Sequence, residues 1–234
     1  MVRRTLVAAV LVLSLLPSTE ALAWSNGIHG PNTFGTHDLI LREALRIAHQ
    51  RANWVCVRVA MRATDDPDIV NGIDHASGTW WHVWDEWGAT YGGAPEAVRV
   101  WYQRAERKLA HGHRCAASKA LGIMSHMLGD VAQPMHTDGR LGAEDRVHAA
   151  YEHDVDERCS PSQCQFRVEN DGVDHPQPYA ATASLARAAH PLYGKLIRRY
   201  DAHGYTGRVH GMSRRQINRA SNVLADLIRE LAPH

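Results

Sequence analysis

The sequence has few of the features that mark specialised classes of protein. It contains two phenylalanines and four cysteines in 234 residues, with no C-x-x-C pair, which argues against a disulfide-dense miniprotein and a cysteine-based zinc site. It contains no internal repeat or low-complexity linker, and strand patterns are almost absent. A formal net charge of +1 argues against binding nucleic acid by bulk electrostatics alone. What remains is an ordinary globular composition.

Histidine is the residue type that this chain has in excess. There are 16 histidines against two phenylalanines, which is hard to explain by core packing. Histidine is also the commonest metal ligand in proteins. The composition therefore directs attention to a metal site.

The first 23 residues have the pattern of a cleaved signal peptide. Arg3 and Arg4 give a positive start, an apolar run extends from Leu6 to Leu16, and an A-x-A cleavage site ends at Ala23. The apolar run is too short for a membrane span, which needs about 20 residues. We therefore expect a secreted or periplasmic protein whose mature part, residues 24–234, is one domain.

Export would permit disulfides. Cys159 and Cys164 are close enough to close a small loop, which would leave Cys56 with Cys115. Four cysteines allow three pairings, and the sequence alone does not choose among them.

The spacing of apolar residues predicts an all-α domain with one long, tryptophan-rich loop. The loop is predicted at residues 63–94, where Gly, Pro, Asn and Asp recur beside Trp80, Trp81, Trp84 and Trp87. Helices are predicted at residues 38–62, 95–110, 116–131, 143–158, 179–199 and 213–232.

Two pairs of residues at helical spacing carry the chemistry. His126 and Asp130 are four residues apart, so both side chains leave the same face of a helix. Pro134 then turns the chain and can bring His136 back toward that face, and a second such pair, His148 and Glu152, follows. Imidazole nitrogens and carboxylate oxygens are suitable Zn²⁺ ligands, and helical bundles build metal sites from such pairs.

These motifs resemble those of the zinc-dependent phospholipase C and S1/P1 nuclease superfamily, and the bacterial phospholipases more closely than the nucleases. The H-x-x-x-D-x-x-Q-P-x-H pattern runs from His126 to His136, and the H-x-x-x-E pattern from His148 to Glu152. The resemblance extends from Trp24 to Glu152, with its other elements in family order: Trp24, the GTHDLI stretch at 35–40, and the HVWD stretch at 82–85.

The resemblance implies three zinc ions. An α-amino group loses its proton far more easily than lysine, so a new N-terminus can serve as a neutral ligand. The first ion would be held by Asp68, His82, His126 and Asp130, the second by His136, His148 and Glu152, and the third by the amino nitrogen and carbonyl oxygen of Trp24 with His37 and a shared Asp130.

Three of these ligands have sequence competitors. Asp66 competes with Asp68, whose P-D context matches the family. His75 competes with His82, which the neighbouring Trp and Asp favour, and His29 competes with His37, which the T-H-x-x-I context favours.

Three zinc ions imply phosphoester hydrolysis, with Asp68 as the catalytic residue that orients water or accepts its proton. The resemblance implies a phospholipase C that releases diacylglycerol and a phosphorylated head group. The alternatives are an S1/P1-type single-strand nuclease and a catalytically silent zinc-binding protein. As partners we expect a phospholipid or other phosphodiester substrate, transient contact with a membrane surface, no stable nucleic-acid partner, and a monomeric chain.

Overall fold

The computed structural model describes residues 33–87, 91–138, 145–175 and 177–232; for residues 145 and 146 it describes the backbone only. These residues form α-helices and short 3₁₀ turns, and the described ranges contain isolated β-bridges but no strand. The predicted all-α fold is confirmed. The helices are α1 (Thr36–Ala48), α2 (Val57–Ala63), α3 (Asp66–Ile69), α4 (Ala94–Ala110), α5 (Arg114–Ala132), α6 (Asp145–Asp156), α7 (Pro178–Ala189), α8 (Tyr193–His203) and α9 (Gly207–Leu231).

Helix α5 lies at the centre of the bundle. Every residue from Ala120 to Ala132 is buried, because α1, α2, α4, α7 and α9 all pack against it. A helix that is enclosed on all sides must be apolar or small around its whole circumference. Gly122 meets this need where α2 crosses: a Cβ atom there would lie 2.2 Å from the Ala60 carbonyl oxygen. The polar residues that α5 does bury, His126 and Asp130, therefore need partners inside the protein.

The helix predicted over residues 38–62 is divided in the structure. Helix α1 ends at Ala48, His49 takes a positive φ of 52°, and a 3₁₀ turn at His49–Ala52 precedes α2. The break lets Trp54 enter the core and lets Cys56 reach Cys115 at the start of α5. Tertiary contacts thus override a helical pattern that continues across the break.

The prediction for residues 179–199 also merges two helices. Pro191 lies in a 3₁₀ turn, His190–Leu192, that separates α7 from α8. Proline has no N–H to continue the helical hydrogen bonds, so the chain changes direction there.

The tryptophan-rich loop carries short helical pieces that fix two candidate ligands. Helix α3 lies within it, and a 3₁₀ turn at Thr79–His82 ends at a buried histidine. The backbone N–H of Trp84 donates to the backbone carbonyl of His136 at 2.9 Å, which attaches this part of the loop to the turn after α5.

Two disulfides join the pairs that the sequence left open. Cys56 bonds to Cys115, and Cys159 to Cys164. Such bonds are typical of proteins outside the reducing cytosol. None of the helices in the described ranges is both long enough and apolar enough to span a bilayer.

Candidate metal centre

Five side chains from four separate elements meet beside the second half of α5, and we call them the first cluster: His37, Asp68, His82, His126 and Asp130. Asp130 is completely buried, and its Oδ2 lies 2.8 Å from His82 Nδ1 and 3.4 Å from His126 Nε2. Asp68 Oδ1 lies 3.4 Å from that same His126 nitrogen and 3.8 Å from His82 Nδ1. Four potential ligand atoms thus converge on one small volume.

Backbone carbonyls fix which nitrogen of each imidazole faces the cluster. His82 Nε2 lies 3.0 Å from the Ala76 carbonyl, and His126 Nδ1 lies 2.6 Å from the Thr64 carbonyl. A carbonyl can only accept, so these two nitrogens carry the protons. In the neutral rings the opposite nitrogens therefore point lone pairs inward, and they lie 3.2 Å apart.

His37 joins the cluster from the first turn of α1. Its ring stacks on His126 with the centroids 3.9 Å apart, and its Nε2 lies 3.3 Å from Asp130 Oδ1. That approach lacks hydrogen-bond geometry, and neither ring nitrogen of this fully buried histidine has a hydrogen-bond partner among the described residues. Gly129 provides the space for the ring, because a Cβ atom there would lie 2.8 Å from His37 Nδ1.

The second cluster consists of His136, His148 and Glu152. His148 and Glu152 lie one turn apart on α6, with His148 Nε2 2.7 Å from Glu152 Oε1. His136, in the 3₁₀ turn Pro134–Thr137, places its Nε2 3.1 Å from the same His148 nitrogen and 3.5 Å from the same carboxylate oxygen. All three side chains are buried.

One hydrogen bond connects the two clusters. His136 Nδ1 donates to the backbone carbonyl of His82 at 3.0 Å. This bond leaves His136 Nε2 as the acceptor that faces His148. A residue of the first cluster therefore sets the orientation of a residue in the second.

Gln133 contacts the second cluster through its side-chain amide and is completely buried. Its Oε1 accepts the backbone N–H of Met135, the second residue of the turn, so its amide nitrogen must point the other way. That nitrogen lies 3.0 Å from Glu152 Oε1 and 2.9 Å from His148 Nε2. Gln133 is part of the sequence motif, but the sequence alone assigns it no role.

The electrostatics favour charged carboxylates in both clusters. Burial raises the pKa of Asp130, but His126 and His82 outweigh that effect and hold the pKa well below its usual range. Burial likewise opposes ionisation of Glu152, yet His148 and His136 lower its pKa to about 2. For His126, burial lowers the pKa, whereas Asp130 and Asp68 raise it to about 9 overall. Burial and the nearby His126 lower the pKa of His37.

This donor set fits a bound cation. In each cluster, two imidazole nitrogens face each other beside an anionic carboxylate. His82 Nδ1 and His126 Nε2 are 3.2 Å apart, and His136 Nε2 and His148 Nε2 are 3.1 Å apart. Without a metal ion, the imidazolium of His126 supplies positive charge beside the carboxylates of the first cluster, and a bound cation would take over that role and leave the imidazole lone pairs free to coordinate it. Nitrogen and oxygen donors of this kind suit Zn²⁺. The ligand atoms form three groups, each within 4.8 Å: His37–His126–Asp130, Asp68–His82–His126, and His136–His148–Glu152.

The structure separates two of the three pairs of sequence competitors. Asp68 points into the first cluster, whereas Asp66 forms an ion pair with Lys119 at 3.0 Å. His82 is in the cluster, whereas His75 Nδ1 lies 2.5 Å from Asp74.

The third pair is separated only in part. His37 lies in the first cluster, but His29, like Trp24, lies outside the described residues. The proposed N-terminal ligand therefore stays a prediction.

The comparisons with known proteins agree with the fold. The sequence matches no protein-family model and no curated protein. The structure is similar to the alpha toxin of Clostridium absonum, with a TM-score of 0.60 and 16% identity, and to an alpha-toxin of Clostridium perfringens from an avian strain, with a TM-score of 0.59 and 13% identity. Each match covers 86% of this chain and 64% of the toxin, so the chain spans less than two thirds of the length of these toxins. Over the matched part, the chain therefore has the fold of these alpha-toxins.

Proposed function

We propose that this chain is a secreted zinc-dependent phosphodiester hydrolase that acts as a phospholipase C. The observation that carries the proposal is the convergence of His, Asp and Glu ligand atoms, in three groups, within a fold shared with the alpha-toxins. The reaction would release diacylglycerol and a phosphorylated head group.

Three zinc ions are proposed, with the ligands that the sequence motifs indicate. Asp130 is the shared ligand, because its two oxygens face different neighbours, Oδ2 toward His82 and Oδ1 toward His37. The proposed sets are Asp68, His82, His126 and Asp130; His136, His148 and Glu152; and Trp24, His37 and Asp130.

The chemistry depends on a carboxylate that water can reach. Bound zinc would lower the pKa of a coordinated water and neutralise charge on the phosphoryl oxygens. Asp68 is the proposed catalytic residue: its side chain is 12% exposed, whereas that of Asp130 is 0% exposed. Asp68 can therefore accept a hydrogen bond from the attacking water and take its proton, while Asp130 remains a ligand.

Processing is proposed to complete the site. Removal of residues 1–23 would convert the amide nitrogen of Trp24, whose lone pair is delocalised, into an amine that can bind metal. A chain that starts at Trp24 should then hold more zinc and hydrolyse phosphodiesters faster than a chain that keeps one Met before Trp24. Equal zinc content and equal activity would remove Trp24 from the proposed ligands.

The proposed partners follow from the substrate. The enzyme would act as a monomer, contact membranes transiently, and form no stable complex with nucleic acid. Trp80 and Trp87 are 44% and 46% exposed, and tryptophan suits the boundary between water and lipid because its ring is apolar and its N–H is polar.

A side-by-side assay tests the proposed reaction. Mature protein with zinc is incubated with phospholipid vesicles and, separately, with single-stranded DNA and RNA. We expect diacylglycerol release and little degradation of nucleic acid. Nuclease activity without lipid turnover would assign the chain to the nuclease alternative, and full zinc content with neither activity would indicate a silent zinc-binding protein.

A further inference from the structure

A polar pocket lies on the surface between α9 and residues 167–171, the extended segment that follows the disulfide between Cys159 and Cys164. Its volume is about 400 Å³, and four arginines, two asparagines and two acidic residues line it. None of the proposed zinc ligands is among these residues. The proposed hydrolytic reaction gives this pocket no role.

The pocket is built on a fixed backbone. The Asn218 side-chain oxygen accepts the N–H of Glu169 at 2.7 Å, and that of Asn222, one helical turn later, accepts the N–H of Asp171 at 3.0 Å. On the opposite side, Arg46 donates to the Val168 carbonyl at 2.7 Å. The extended segment is therefore held against α9 at regular steps, so the arginines at the pocket have a rigid base.

The arginines exceed the carboxylates that could neutralise them. Among the described residues, the side chains of Arg214 and Arg215 make no hydrogen bond and no ion pair, and both are exposed. One of the two acids, Glu169, lies 3.2 Å from Arg167, and the other, Asp171, accepts the N–H of Val173. The guanidinium groups of Arg214 and Arg215 are thus available to an external anion.

The surface around the pocket also carries an excess of positive charge. Between residues 193 and 219 there are seven lysines and arginines and one aspartate, whereas the whole chain has a net charge of only +1. Six of the seven cationic side chains are exposed. Positive charge is therefore concentrated on α8 and the first half of α9.

We propose that this pocket binds the phosphate group of an anionic phospholipid and holds the protein on an anionic membrane surface. Guanidinium groups match phosphate because their planar N–H donors can form paired hydrogen bonds. The pocket has no aromatic lining residue on which a nucleotide base could stack, which argues against single-stranded nucleic acid. Val173, 53% exposed beside the pocket, would contact the lipid. The role rests on the proposed function, since a phospholipase must reach substrate within a membrane.

Vesicle binding tests this role separately from catalysis. The mature zinc-loaded protein is sedimented on ice with vesicles of phosphatidylcholine alone or mixed with phosphatidylglycerol. We expect tighter binding to the mixed vesicles, and about 30-fold weaker binding for the double variant Arg214→Gln/Arg215→Gln, which corresponds to about 1 kcal/mol for each arginine. The control, Arg107→Gln/Lys108→Gln, removes the same charge from an exposed part of α4 and should bind as the wild type does.

Three results would overturn the proposal. They are equal losses in the two double variants, no preference for phosphatidylglycerol, and thermal stabilisation by inorganic phosphate without any vesicle binding. Hydrolysis of a short-chain soluble phospholipid should be unchanged in both variants. If the protein binds anionic vesicles through Arg214 and Arg215 but hydrolyses no lipid, the pocket stands and the proposed reaction fails.

Discussion

The two clusters of ligand-type residues are assembled over very different lengths of chain. The second cluster comes from residues 136–152, and two of its members lie on one helix. The first spans residues 37–130 and needs α1, α3, the loop and α5 to meet. The second cluster is thus mainly a matter of local spacing, whereas the first exists only when the bundle is packed. Yet the two share a hydrogen bond, from His136 to the His82 carbonyl.

The largest expected effect is from Asp130→Asn, which replaces the shared carboxylate of the first cluster by a neutral amide. We expect loss of zinc and a fall in kcat/KM of about 1,000-fold or more, since metal-derived charge stabilisation amounts to several kcal/mol. Zinc content and turnover are measured together. The matched control is Asp66→Asn, which removes a half-buried carboxylate outside both clusters and its ion pair with Lys119. Wild-type zinc and activity in Asp130→Asn would show that this carboxylate is not a ligand.

Glu152→Gln tests the second cluster in the same way. The variant keeps the size of the side chain but removes the charge beside His148 and His136. Because the second cluster contributes one of the proposed zinc sites, we expect zinc content to fall by about one ion per chain. Elemental analysis checks this, and loss of all zinc would mean that the first cluster cannot load without the second.

Gly129→Ala should affect the first cluster alone. The new methyl group would lie 2.8 Å from His37 Nδ1, so the ring must shift from the position in which it faces Asp130. We expect reduced zinc content with a folded protein, measured by elemental analysis and circular dichroism. The control, Gly207→Ala at the start of α9, has open space around the added carbon and should leave zinc content unchanged.

Gln133→Met should weaken zinc binding at the second cluster. The variant fills a similar volume but removes the amide that contacts His148 and Glu152. Loss of such a supporting hydrogen bond typically costs about 10- to 100-fold in metal affinity. Competition with a chromophoric chelator measures the affinity. Unchanged affinity of every zinc ion would show that Gln133 only caps the turn.

The smallest expected effect concerns Asp156, which follows Glu152 by one turn and accepts hydrogen bonds from the N–H and hydroxyl of Thr36. Burial, partly offset by Thr36, raises the pKa of Asp156 well above its usual value. A raised folded-state pKa means that this carboxyl favours folding most at low pH, and that the benefit is lost as pH rises through the folded pKa.

Asp156→Asn keeps an acceptor for Thr36 and removes that titration. Its free energy of unfolding relative to wild type should therefore increase from pH 4 to pH 8. Urea denaturation at the two pH values measures the difference. A difference that does not change with pH would show that Asp156 is ionised in the folded protein as easily as in the unfolded chain.

The sequence predicts every residue of both clusters, but only the first cluster has competing residues, and the reason is physical. Spacing on one helix places His148 beside Glu152 whatever the rest of the fold does. In the first cluster, only the P-D context of the family favours Asp68 over Asp66, because the spacing of residues does not show which carboxylate α3 turns toward His126. The carbonyl partners of His82 and His126 come from Ala76 and Thr64, whose side chains carry no signal of that role.

The fold shows the same division. The all-α class and the buried α5 follow from apolar spacing, and the predicted bounds of that helix, 116–131, are close to those observed. The break between α1 and α2 was missed, because it depends on a buried Trp54 and on the bond between Cys56 and Cys115. Such long-range contacts leave the local apolar pattern unchanged.

Zinc-edge anomalous diffraction from crystals of the mature protein, never exposed to chelator, would show directly whether both clusters bind zinc. We expect zinc peaks at both clusters: beside Asp130 with His82 and His126, and at His136, His148 and Glu152. A peak shared between His37 and Asp130 would add the proposed third ion. Crystals that contain the two clusters as described but show no zinc at either, after soaking in zinc at neutral pH, would contradict this expectation.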